Sequence, residues 1–252
     1  NMSGDAEQEY FSDGITEDII TDLSKVSALF VIARNSSFTY KGRAVDVKQV
    51  AADLGVRYVV EGSVRKAGNR VRVTSQLIDG GTGGHLWAER YDRELDDIFE
   101  VQDEVTRNIV DALRIQLTPD EAERAGARGA ADLEAYDLVL RAREHAFRFT
   151  ADENREAVRL LDEAIARDPQ SSTAHAALAL TLSGDYVNAW NGADGETVKR
   201  CLRLAERSAE LDDRDPQAHW ALAVAHMWTR DLDRAVSEAK RTIVLDPNSA
   251  MA

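Results

Sequence analysis

One cysteine and four prolines in 252 residues leave little room for a cross-linked or proline-rich fold. Cys201 has no second cysteine to pair with, so no disulfide framework argues for export. No apolar run approaches the roughly 18 residues that span a bilayer, and no signal peptide is visible. No membrane span is therefore expected within the chain. Basic residues are also in deficit. Up to Ile115 there are 14 basic and 20 acidic residues, and the remainder has 17 and 25. Neither half carries the electrostatic footprint of a duplex-binding domain, and no nucleic acid is expected as a partner.

Apolar residues, at 44%, suffice for ordinary cores, and the 30% of charged residues implies a heavily solvated surface. The length suits one large domain or two small ones. The opening Asn1-Met2-Ser3-Gly4-Asp5 and the ending just past Asp246-Pro247 read as an excerpt from a longer protein.

The first 115 residues alternate helix and strand signals. Ser12-Asp13-Gly14 predicts a helix start, followed by Ile15, Ile19, Ile20, Leu23 and Val26 at helical spacing. Leu29 to Ala33 is a short apolar run suited to a buried strand. Asp46-x-x-Gln49 and Asp97-x-x-Glu100 resemble capping boxes. Gly55 is a natural stop for the first of these helices. Val101, Val105, Ile109, Ala112 and Leu113 predict the inward face of the second. Tyr58, Val60, Gly62 and Val64, then Val71, Val73, Ser75 and Leu77, alternate with polar residues around a turn at Lys66 to Asn69, as a half-buried hairpin requires. Gly62 should therefore face inward, against a helix. The glycine-rich stretch Gly80 to Gly84 lacks the Lys-Ser/Thr of a phosphate loop and precedes a strand signal, His85 to Tyr91, so it reads as a hairpin turn. The expected fold is α/β: an α+β sandwich with a small mixed sheet and helices.

Six segments in this half resemble, in order, the TolB-amino-terminal-like domain. They are Asn1 to Asp5 with Glu9 to Asp18, Val31 to Ser37, Leu54 to Val59, Glu61 to Arg65, and Ala88 to Asp92. In that family an apolar strand precedes the first segment; it is absent here, which implies a sheet short of one strand.

The second half repeats. Ala157, Cys201 and Ala235 are each followed by an apolar residue, and by Asp168, Asp212 and Asp246 eleven places on. Cys201 to Ala235 spans 34 residues, the tetratricopeptide period; Ala157 to Cys201 spans 44, so the middle unit carries ten extra, near Gly184 to Gly195. Ala179 and Ala223 fit the crowded position on the preceding helices, and Leu178 and Leu222 should be buried. The expected organisation is an α/β domain over 1–115, a partly helical linker over 116–130 opened by Thr118-Pro119-Asp120-Glu121, and an all-α tetratricopeptide-repeat solenoid over 131–252. An exposed apolar end is expected after the last repeat.

Little in the residues promises chemistry. No pair among His85, His145, His175, His219 and His226 has ligand spacing. Cys201 suits a helix crossing better than a reactive thiol. Arg57, Arg65, Lys66, Arg70 and Arg72 concentrate on the hairpin around Glu61, either as cross-strand partners or as a patch for an anion. Trp220 and Trp228 suit core packing or a groove anchor. No catalytic residue, cofactor or metal is expected. The expected partner is a protein or peptide in the repeat groove, or an upstream effector domain of the same chain. His175, His219, His226 and Arg230 are the candidate partner-binding residues, the alternative being that the histidines only solvate the groove.

A TolB-amino-terminal-like domain followed by tetratricopeptide repeats resembles the regulatory carboxy-terminal region of bacterial class III adenylate/guanylate cyclases. It is also similar to the region after the winged helix of some bacterial transcription regulators. A third reading is a free-standing TolB-like envelope scaffold. The cyclase resemblance implies a non-catalytic regulatory region in the cytoplasm, or in the periplasm if the parent carries an upstream span.

Overall fold

The computed structural model describes residues 1–115 and 132–249. The linker expected over 116–130, with its helix start at Thr118-Pro119, lies outside the described residues. The chain divides into two compact units, Asn1–Arg128 and Gly129–Ala252.

The first unit is built on three antiparallel strands, β1 (Tyr58–Ala67), β2 (Arg70–Asp79) and β3 (His85–Glu94), in the order β1-β2-β3. Helices α1 (Glu9–Ser24) and α4 (Ile98–Ala112) supply its main helical core, with the one-turn α2 (Arg34–Ser37) and α3 (Val47–Leu54) between α1 and the sheet in sequence. The expected alternation holds best in β2. Val71, Val73, Ser75 and Leu77 are buried, while Arg70 and Arg72 are exposed. Val101, Val105 and Ile109 of α4 are buried as expected, joined by Ile98. The Gly80–Gly84 stretch is the β2–β3 turn. It is tied by the Asp79 carboxylate, which accepts from the Gly81 and Thr82 amides.

Several expectations are corrected. The sheet is antiparallel among the described residues, not mixed. Leu29–Ala33 forms no strand, and Phe30 stands 78% exposed. Part of the outer edge of β1 is engaged by the amino terminus: the Met2 amide donates to the Val64 carbonyl at 2.8 Å, and the Lys66 amide donates to Ser3 Oγ at 3.0 Å. Helix α1 starts at Glu9, ahead of Ser12, because burial of Tyr10 and Phe11 rewards an earlier turn. Asp46 caps α3 by accepting from the Lys48 amide, yet Gln49 turns to Asp53, and the Asp97 side chain caps nothing, so neither capping box closes.

The described residues of the second unit form three helical hairpins. They are α5 (Leu133–Phe147) with α6 (Ala151–Arg167), α7 (Ser172–Val187) with α8 (Gly195–Leu211), and α9 (Pro216–Trp228) with α10 (Leu232–Leu245). Small residues let the helices approach closely. Ala157, Ala174, Ala176, Ala179, Cys201, Ala205, Ala221 and Ala225 form one core with Leu161, Leu178 and Leu222. Leu178 and Leu222 are buried, as their equivalent positions predict. Each helix start is capped in a way the sequence can explain: Asp132, Thr150, Ser171, Asp194, Asp215 and Asp231 all accept a backbone N–H with their side chains. A serine pair closes the middle hairpin and ties it to the next. Ser208 Oγ donates to the Ser172 carbonyl at 2.9 Å, and Ser172 Oγ reaches the Asp215 cap at 3.2 Å.

Candidate functional site

Helices α7 and α9 are enclosed on most sides, so a residue's place on them decides whether it meets solvent or core. The three histidines fall inward. His175 is 6% exposed, with Nδ1 2.8 Å from the Ser171 carbonyl oxygen. His219 is 9% exposed and bridges two elements: Nδ1 lies 2.7 Å from Glu238 Oε2 on α10, and Nε2 lies 2.8 Å from the Asp213 carbonyl oxygen. His226 is 7% exposed, two turns along the same helix. Arg230 is exposed in the α9–α10 turn, in the left-handed region at φ 63°. The four sequence-selected residues therefore do not share one open surface, and the histidines do not solvate a groove. All three are buried.

What faces outward is a different set. On α9, Gln217, Trp220, Val224 and Met227 follow each other at spacings of three, four and three residues, half-exposed except for Met227, which is 43% exposed. On the neighbouring α7, Thr173, Ala177, Leu180 and Gly184 make a similar half-exposed stripe. Both stripes are mainly apolar and carry no charged residue. Sequence spacing alone missed it, since both helices are apolar all round and no single face stands out. Trp228, half-buried, donates Nε1–H to Ser183 Oγ at 2.5 Å and makes an edge contact with Tyr186.

The remaining candidates have structural roles. Burial pushes the Cys201 thiol up to about 11, out of the nucleophilic range. On the hairpin, Arg72 pairs with Asp92, Arg57 with Asp79, Arg65 donates to the Met2 carbonyl, and Lys66 lies over the Phe11 ring. These cations serve the sheet and its neighbours, which weakens the case for an anion patch. The acidic stripe Glu9, Asp13 and Glu17 on α1 meets Lys41 and Arg34, so the segment after α1 is held by ion pairs. Beside β3, Tyr91 Oη donates to Glu89, and Asn108 of α4 donates to both. Burial, together with Glu89, raises the Tyr91 phenol to about 12, so it stays protonated as a packing donor. Among the described residues no group of three or more His, Cys, Asp or Glu is placed to hold a metal ion. No helix among them is long and apolar enough to cross a membrane.

No family model matches the chain. Over 235 residues it is 57% identical to the protein named "Putative adenylate cyclase 3" of Rhizobium meliloti (strain 1021). That alignment takes in 93% of this chain and 40% of the relative, so the chain spans well under half the length of the curated protein it matches.

Proposed function

We propose that this chain is a non-catalytic regulatory and protein-interaction region of a multidomain bacterial adenylate cyclase, with cyclic nucleotide synthesis carried out by a cyclase domain elsewhere in the parent. The observation that carries this reading is the 57% identity, along nearly the whole chain, to a protein named as an adenylate cyclase and much longer than the match. It favours the cyclase parent over the winged-helix regulator and the envelope scaffold.

In this reading the first unit is a TolB-amino-terminal-like domain and the second a divergent tetratricopeptide array. Support for the array comes from the three hairpins, the buried small residues Ala157, Ala179, Cys201 and Ala223, and the equivalent burial of Leu178 and Leu222. The partner is a protein or peptide segment received on the half-exposed stripes of α7 and α9. His175, His219 and His226 act from beneath by fixing helix positions, and Arg230 acts from the adjoining turn.

Incubating the purified chain with ATP and magnesium and measuring cyclic AMP tests the non-catalytic assignment. No turnover is expected. Turnover abolished by a point substitution within residues 1–252 would overturn it.

A further inference from the structure

The ten extra residues of the middle hairpin build something. After α7 the chain passes through Ala189 and Asn191, both in the left-handed region at φ 53°. The Trp190 amide donates back to the Asp185 carbonyl at 2.8 Å. Asn191 then locks this loop onto the neighbouring turn between α5 and α6. Its Nδ2 donates to the Ala151 carbonyl at 2.9 Å and to Asp185 Oδ1 at 2.8 Å, while its Oδ1 accepts from Arg155 at 2.8 Å. The result sets Trp190 edge-on against Phe149, ring centroids 5.1 Å apart.

Phe149 is the unusual member. It is a bulky residue at φ 51°, a conformation that disfavours any side chain, and the residue is 66% exposed. Core packing does not explain it, since the residue is mostly exposed. The same loop leaves Val187 58% exposed. Strain maintained around an exposed aromatic is a reason to look for a ligand. The surroundings say which kind. Glu144, Asp152, Glu153, Asp185, Asp194 and Glu196 belong to these two connections and their flanks, against Arg148, Arg155 and Lys199, the last paired with Glu196. The two arginines are already engaged as well, Arg148 by Glu144 and Glu153, Arg155 by Asp152 and Asn191. An exposed ring in a net-acidic setting attracts guanidinium and ammonium groups through its face and apolar groups through its area.

We infer that the Phe149–Trp190 ledge is a docking surface for a cationic, apolar-bearing protein segment. The inference rests on the interaction role proposed above and adds a surface and a partner chemistry to it.

The test uses the whole chain labelled with ¹⁵N at its four tryptophans and three synthetic decapeptides: alternating Arg-Leu, Glu-Leu and Arg-Gly. The Arg-Leu peptide should shift the Trp190 indole signal saturably, with the other two at least tenfold weaker. Phe149→Gly should keep the turn, relieve its backbone and lower Arg-Leu affinity at least tenfold with no loss of thermal stability. Val187→Ser gives a second reading should that variant misfold. Equal binding of the Glu-Leu or Arg-Gly peptide, or undiminished affinity in both variants, overturns the ledge. Binding at the ledge that leaves the cyclase output of the full-length parent unchanged would support the ledge and remove the regulatory reading instead.

Discussion

Replacing Gly62 by alanine adds a single methyl group, yet the structure places it where no atom fits. An ideal Cβ there would lie 2.3 Å from the Thr74 carbonyl oxygen and 3.3 Å from its carbon, both backbone atoms of the adjacent strand. The shortfall from an ordinary contact is about 1 Å. A flexible side chain could swing away; a strand carbonyl cannot without parting β1 from β2, whose Gly62↔Ser75 pairing sits between Val60↔Leu77 and Val64↔Val73. Sequence pattern had assigned this closeness to a helix. It comes from the sheet itself, and Gly62 is open on its other side. Overpacking of this kind costs about 1–3 kcal/mol. For a unit of this size the unfolding entropy is roughly 0.24 kcal/mol/K, so a loss of about 2 kcal/mol lowers Tm by about 8 °C. Trp87 is the only tryptophan in residues 1–115 and belongs to the β3 strand, so its fluorescence follows this unit. A Gly62→Ala midpoint within about 1 °C of the parent would refute the argument.

Gly80→Ala should behave similarly, because its Cβ would lie 2.2 Å from Ala51 Cβ on α3; an unchanged Trp87 melt would show that α3 yields freely. Ser208→Ala should destabilise the second unit by about 1–2 kcal/mol, read by denaturant unfolding of Trp190, Trp220 and Trp228, since a fully buried donor to the Ser172 carbonyl is lost. Cys201 should resist thiol labelling at pH 8 until the chain unfolds, and rapid labelling of native protein would contradict its burial. Glu9, held down chiefly by Lys41, Asp92 by Arg72, and Glu153 by His145 and then Arg148, have carboxyls below their ordinary values in the folded state. The stability they contribute is present above the ordinary carboxylate range and lost as pH falls through the lowered values. Burial raises Asp103, whose protonation acts the other way. A unfolding midpoint constant from pH 5 to pH 3 would show that these pairs contribute nothing net.

The parts legible in the sequence are those where one physical signal dominates. Period-two burial in β2, the inward face of α4, and the equivalent leucines Leu178 and Leu222 all follow from a single buried side. Reading failed where that condition lapses. Leu29–Ala33 is apolar enough for a strand, but a strand also needs a ladder, which composition does not reveal. On α9 apolar residues surround the helix, so His219 and His226 were read as groove-facing when they lie inside. The Phe149–Trp190 ledge was invisible because its turns use Phe149, Ala189 and Asn191 at positive φ, where glycine is the usual signal. Only the excess length of the middle repeat hinted that the loop held structure.

The regulatory assignment is tested most directly by measuring cyclic AMP synthesis by the full-length parent with and without the segment corresponding to residues 1–252. The account predicts that the truncated protein still makes cyclic AMP, at a rate changed by about fivefold or more in line with ordinary coupling between sites. Complete loss of synthesis in a folded truncated protein, or an identical rate in both, would contradict it.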